Sequence, residues 1–308
     1  MSPQDTPAAA TAPRLFCFGL GYSARALAEA LRAEGWRVAG TTRDPDKADS
    51  LRTAGIEAHL FDRDRPLADP EAALAGTTHL LSSVPPDAAG DPVLDAHGAA
   101  LVGLAGQLDW AGYLSTTGVY GDRGGGRVDE ESALRPTNAR SHRRVAAEER
   151  WRALGTDSGL PIHVFRLAGI YGPGRNPLES VRRGTARRIH KPGQAFSRIH
   201  VADIVTVLRA SMARPDPGRV YNVCDDTPAA PAEVTEHACR LLGVDPPPLV
   251  PYEEAEMSEM AKSFWADNKR VDNGRLYRDL GVSLAYPDYK AGLAALHAAG
   301  EGTLHRRD

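Results

Sequence analysis

The chain has 308 residues, 37 Lys and Arg against 40 Asp and Glu, and 42% hydrophobic residues. It is long enough for one large or two smaller cores, and a charged fraction of 25% excludes wholesale disorder. A net charge of −3 gives no footprint for nonspecific nucleic-acid binding, which needs surplus cations to displace counterions.

Met1 to Pro13 is rich in Ala, Pro and Thr, without the basic start and apolar core of a secretory signal; it is expected to be a flexible tail. Arg14 to Phe18 is a short apolar run ending in Gly19, the pattern of a buried parallel strand. A helix follows, with Ala24, Leu27, Ala28 and Leu31 on one face and Gly35 as its stop. Trp36 to Thr41 and Ile56 to Phe61 are predicted strands, with a helix around Asp46 to Thr53 between them. Thr77 to Val84 and Asp109 to Ser115 are the fourth and fifth strands. A helix over Arg140 to Leu154, a strand over Ile162 to Leu167, a helix over Asp203 to Ala213 and a strand over Val220 to Val223 continue the alternation. Such alternation implies an α/β fold, a Rossmann-type doubly wound parallel sheet that binds ligands at the C-terminal ends of its strands. The expected division is a dinucleotide-binding domain, 14–175 and 200–226, and a smaller, discontinuous C-terminal lobe for substrate or partner, 176–199 and 227–308.

Gly19-Leu20-Gly21-Tyr22-Ser23-Ala24 is G-x-G-x-x-A between the first strand and its helix, the context that makes this motif informative. Gly19 permits the turn, Gly21 lets backbone approach a pyrophosphate, and Ala24 allows close helix–strand packing. Tyr22 and Ser23 open the helix, whose free N–H groups face the phosphates. The second strand ends Thr41-Thr42-Arg43, where a ribose 2′-hydroxyl would call for an acid; a guanidinium and two hydroxyls suit a 2′-phosphate. NADP is therefore the expected cofactor and NAD the alternative. Arg25 could assist. Asp62, after the third strand, is a candidate adenine contact or a loop cap, and Ser83, ending the fourth strand, is a further cofactor-side candidate.

Several later segments resemble the extended branch of the short-chain dehydrogenase/reductase superfamily, the NAD(P)-dependent epimerases and dehydratases. Leu114-Ser115-Thr116-Thr117-Gly118-Val119-Tyr120-Gly121 is similar to that family's S-[ST]-x-x-V-Y-G. Arg166 to Gly174 resembles its R-x-x-x-x-Y-G-P-G, Arg198 to Ile204 its R-x-x-H-V-x-D, and Tyr221-Asn222-Val223 its following strand. The resemblance implies a Ser or Thr, a Tyr and a Lys as catalytic groups, with Thr116 at the first position. Read back from Glu148, the tyrosine position holds Arg140 and the lysine position Arg144. An arginine stays protonated and is no ordinary acid or base. The chain is thus read as an atypical member with an altered site. Thr116, Arg140, Arg144 and Tyr120 are the catalytic candidates, and Tyr171, Arg198 and His200 the substrate-side ones.

Two functions follow. One is an NADP-dependent oxidoreductase, or an epimerase- or dehydratase-like enzyme, on an anionic small molecule, the arginines being the reason. A proton would then come from Tyr120, Tyr171, His142 or water. The basic run Arg182, Arg183, Arg187, Arg188, His190 and Lys191 would add to the anion site or form a solvated face. The other is an NAD(P)-binding sensor without turnover; an open cleft beside Thr116, Arg140, Arg144 and Tyr171 favours the first, a filled one the second. Cys17, Cys224 and Cys239 lack ligand spacing, and no metal is expected. No apolar run has the ~20 residues of a membrane helix, so a cytoplasmic protein with no membrane partner is expected, with oligomeric state, a homodimer included, left open. Only five basic residues are lysines (Lys47, Lys191, Lys262, Lys269 and Lys290), all outside the helix where the family chemistry needs one. A coding bias toward arginine accounts for most of that shortage, but not for arginine in place of the tyrosine.

Overall fold

The computed structural model describes residues 12–303. Most of the expected tail lies outside that range; its last residue, Pro13, already accepts a hydrogen bond from the Arg37 N–H.

Seven parallel strands form the central sheet: β1 (Arg14–Phe18), β2 (Arg37–Thr42), β3 (Glu57–Leu60), β4 (His79–Ser82), β5 (Trp110–Thr116), and, after the two-residue β6 (Arg127–Val128), β7 (Ile162–Leu167) and β11 (Val220–Val223). Their order is β11-β7-β5-β4-β1-β2-β3. The sheet grows from β1 in both directions, so its topological switch, and hence its ligand crevice, lies beyond the ends of β1 and β4. Short strands β8 (Gly169–Tyr171), β9 (Arg188–His190), β10 (Arg198–His200), β12 (Leu249–Pro251) and β13 (Arg270–Val271) pair as β8 with β10, β9 with β12 and β6 with β13.

Alternation along β1 divides the core. Leu15 and Cys17 pack with Leu27 and Leu31 of α1 (Tyr22–Ala33), Leu51 of α2 (Pro45–Thr53) and Leu208 of α7 (Val201–Ala213). Phe16 and Phe18 pack with Leu74 of α3 (Pro70–Leu74), Val93 and Leu101 of α4 (Pro92–Val102) and Trp151 of α5 (Ala139–Ser158). Helix α4 was not foreseen; its signal is Asp91-Pro92, an N-cap whose carboxylate accepts from the N–H groups of Val93 and Leu94, followed by proline in the first turn.

The lobe has its own apolar cluster, built from Leu178 of α6 (Pro177–Arg182), Val234 and Ala238 of α8 (Pro231–Leu242), and Leu293 and Leu296 of α11 (Tyr289–Ala298). Helix α9 (Glu259–Trp265) belongs to the same half. The C-terminal half is not all lobe, however. After β13, Leu276 and Leu280 of α10 (Gly274–Leu280) are buried in the sheet's core, because their spacing of four puts both on one apolar face.

Candidate active site

The loop after β1 is held from three sides. The Gly19 N–H donates to Thr41 Oγ1 (2.8 Å), the Leu20 N–H to the Thr41 carbonyl (2.7 Å), and the Ser83 hydroxyl to the Gly19 carbonyl. Gly19 sits at φ +83°, and a Cβ there would come within 2.9 Å of Ser83 Oγ, so the tight turn requires glycine. Gly21 caps α1 without a side-chain hydrogen bond, and the helix has no acid in its first turn. A Cβ on Gly21 would meet nothing nearer than Ser83 Oγ at 4.0 Å. The result is an open, uncapped helix N-terminus with positive dipole character, which fits the pyrophosphate of a dinucleotide.

At the adenosine side, Arg43 is exposed just beyond β2, and its guanidinium has no partner among the described residues. Lys47 reaches back to the Leu20 carbonyl (2.7 Å). Arg25 is paired with Glu29 on the helix surface (2.7 Å). Asp62 is occupied within its own turn, accepting from the Asp64 N–H (3.1 Å) and Arg65 (2.9 Å). It thus caps its own loop, the second of the two roles expected of it.

From Gly21, Ser23 and Ser83 a single cavity of about 750 Å³ runs past Thr116 and the start of α5 to the lobe. Thr116 ends β5, caps the short 3₁₀ turn Thr117–Tyr120 and accepts from the Gly118 N–H (3.1 Å), leaving its hydroxyl hydrogen free. Glu148 fixes the register of α5: it is buried, receives the Ser115 hydroxyl and pairs with Arg166 (2.8 Å). Arg140 and Arg144, one helical turn apart, consequently both line the cavity. Arg144 is braced, donating to the Tyr113 hydroxyl (2.9 Å) and the Leu114 carbonyl (3.0 Å). Arg140 is exposed and lies 4.3 Å over the ring of Phe264 from α9.

Three expected residues are placed differently. Tyr120 points away from the cavity into a buried network, donating to Asn222 (2.6 Å) and accepting from Arg166 (2.9 Å), and burial pushes its hydroxyl up to about 12. It cannot deliver a proton to a ligand. His200 does not line the cavity either. It caps α7, its Nδ1 accepting from the Ala202 N–H (3.2 Å), between the rings of Tyr171 and Tyr286. Tyr171 lines the cavity by its ring, but its hydroxyl lies against α11 and donates to the Asp288 carbonyl (3.4 Å). Arg198 does line the cavity and donates to the carbonyls of Phe196 (2.9 Å) and Ala229 (3.0 Å). His142 is exposed and outside the cavity.

The basic run of the lobe is used structurally. Arg182 and Arg183 pair with Glu179, and Arg187, Arg188 and Lys191 donate to the carbonyls of Glu256, Pro247 and Trp265. The cations that do line the cavity are Arg140, Arg144, Arg175, Arg198 and Lys269, against one carboxylate, Asp267. Lys269 and the aromatic residues Phe264 and Trp265 were missed in the sequence. They lie far along the chain from Thr116, and long-range contacts, the pairing of β13 with β6 and the hydrogen bonds of Lys191, Gln194 and Thr137 to Trp265 and Asp267, bring that segment to the cavity.

The fold is the Rossmann-like α/β fold of the epimerase/dehydratase structures. Residues 109–224 match the model of the NAD-dependent epimerase/dehydratase family. It is similar to a conserved protein of unknown function from Silicibacter pomeroyi, 52% identical with a TM-score of 0.87 over 94% of this chain and 99% of that one. Protein YeeZ of Escherichia coli K12 is 29% identical over 88% of this chain and 95% of its own length. The dTDP-glucose 4,6-dehydratase of Bacillus anthracis, solved in complex with NAD, shares the fold at 16% identity, with a TM-score of 0.73 over 94% of this chain and 98% of that one.

Proposed function

We propose that this chain is an NADP-preferring oxidoreductase that acts on an anionic small molecule in the cavity between sheet and lobe. The observation that carries the reading is the continuity of that cavity, from an uncapped helix N-terminus at Gly21 past Thr116 to the lobe, with five cations and one carboxylate along its wall, Arg175 beside Tyr22 at the loop end. A nicotinamide dinucleotide bound there supplies hydride exchange at carbon. Gly19, Gly21, Tyr22, Ser23 and Ala24 would hold its pyrophosphate, and Ser83 would line its path. The unpaired Arg43 favours a 2′-phosphate over a bare ribose hydroxyl, with NAD, the ligand of the dehydratase above, as the alternative.

On the substrate side, Arg140 offers charge and Thr116 offers a hydroxyl donor; Arg198 is already held by the carbonyls of Phe196 and Ala229 and adds its field to the wall. Arg144 is already held by Tyr113 and Leu114, so it shapes the wall and its field more than it grips a ligand. Thr116, Arg140, Arg144 and Tyr171 all line open cavity, which supports turnover over a sensor with a filled pocket. The test is NADPH oxidation, followed by its absorbance, across keto acids, other carbonyl-bearing carboxylates and nucleotide sugars. Turnover confined to anionic carbonyl compounds is the expected result; tight NADPH binding with no turnover on any of them would favour the sensor.

A further inference from the structure

The tyrosine position of α5 carries an arginine, and Tyr120, Tyr171, His142 and His200 all fail to present a usable proton, which leaves water or a side chain from elsewhere. The lobe brings one. Lys269, with a side chain only 12% exposed, lines the cavity just before β13. Its ammonium donates to the Gly121 carbonyl (2.9 Å), at the end of the 3₁₀ turn that Thr116 begins, and pairs with Asp267 (3.4 Å). Asp267 is itself fixed by the Thr137 hydroxyl (2.7 Å), beside the N-cap of α5. The two contacts use two of the three ammonium hydrogens.

We infer that Lys269 is the proton donor of this site, giving its third N–H to the substrate oxygen beside Thr116. The inference rests on the oxidoreductase reading above. In the reducing direction one N–H bond of Lys269 breaks and an O–H bond forms on the substrate. The electron pair of the hydride, supplied by a reduced nicotinamide dinucleotide, ends in the new C–H bond, and the neutral amine regains a proton from water. Burial lowers the lysine's affinity for its proton, and Arg123 works in the same direction; Asp267 and Asp122 oppose them. The net direction is downward, toward the range where an ammonium becomes a useful acid.

The probe is 4-nitrophenol, whose phenolate absorbs visibly, added to the full chain with and without NADP at a pH below the probe's own midpoint. The wild-type protein is expected to bind the probe as phenolate. K269M should weaken that band about tenfold or more, the loss of one charged hydrogen bond in a dry site, while NADP binding by calorimetry is unchanged. K269R, which keeps the charge but gives up no proton, should restore the band and yet fail to restore NADPH turnover on any carbonyl compound that the wild type reduces; turnover near the wild-type rate in K269R would overturn the donor role. Should K269M not fold, K269Q, which keeps a donor for Gly121, must likewise lose the band. A band that survives in K269M or K269Q, whatever R140A does, or no band in the wild type, overturns the inference. Failure of NADP to bind would instead count against the cofactor reading, and the calorimetry reports that separately.

Discussion

His200 shows how one residue can carry a family motif and still serve the fold. Its ring is buried between Tyr171 and Tyr286, and burial pushes its pKa down from 6.5 to about 4. The neutral ring is also the form that can accept from the Ala202 N–H. The unfolded chain therefore binds a proton below 6.5 that the folded chain refuses until about 4, so this contribution to stability is full above 6.5 and is lost as pH falls through that window. His200→Asn keeps an acceptor for the cap and cannot titrate. Urea unfolding across that window should show the wild type losing roughly 3 kcal/mol more than the variant. Parallel curves would mean that His200 is not the group refusing the proton.

At the scale of elements, the turn from β5 into α5 sets the site. Gly121 ends the 3₁₀ turn at φ +66°, and a Cβ there would lie 1.7 Å from the Arg135 carbonyl oxygen. Gly121→Ala should cost roughly 2–4 kcal/mol in thermal or urea unfolding, combining backbone strain with a clash against rigid backbone. Gly124→Ala, at φ +56° with open space around it, should cost only about 1 kcal/mol. Because the Gly121 carbonyl tethers Lys269, the first variant should also weaken the phenolate band, and the second should not. Equal cost for the two would remove the steric argument.

At the scale of the whole molecule, the sheet and the loop after β1 were legible in the sequence because their signals are local: apolar runs of strand length, glycines at fixed offsets, and a helix opening straight after them. Arg140 and Arg144 were legible for a similar reason, since Glu148 lies on their own helix. Tyr120 and His200 were misplaced because a motif names a residue and not the direction of its side chain; Asn222 for one and the Ala202 N–H for the other hold both out of the cavity lining. Lys269, Phe264 and Trp265 were not legible, because a two-residue pairing between β6 and β13 across nearly the whole C-terminal half has no sequence signal. Among the described residues no helix is long and apolar enough to cross a membrane.

The central claim is that the crevice takes a dinucleotide with a phosphate on its adenosine ribose. Calorimetric titration of the full chain with NADPH and with NADH, repeated on Arg43→Ala and Gly21→Val, tests it most directly. The account predicts NADPH binding about tenfold or more tighter than NADH, that margin disappearing in Arg43→Ala, and loss of both ligands in Gly21→Val, as expected when one charge-assisted contact or the loop itself is removed. Equal affinity for the two cofactors in the wild type would contradict the NADP preference, and binding of neither would contradict the crevice as a dinucleotide site.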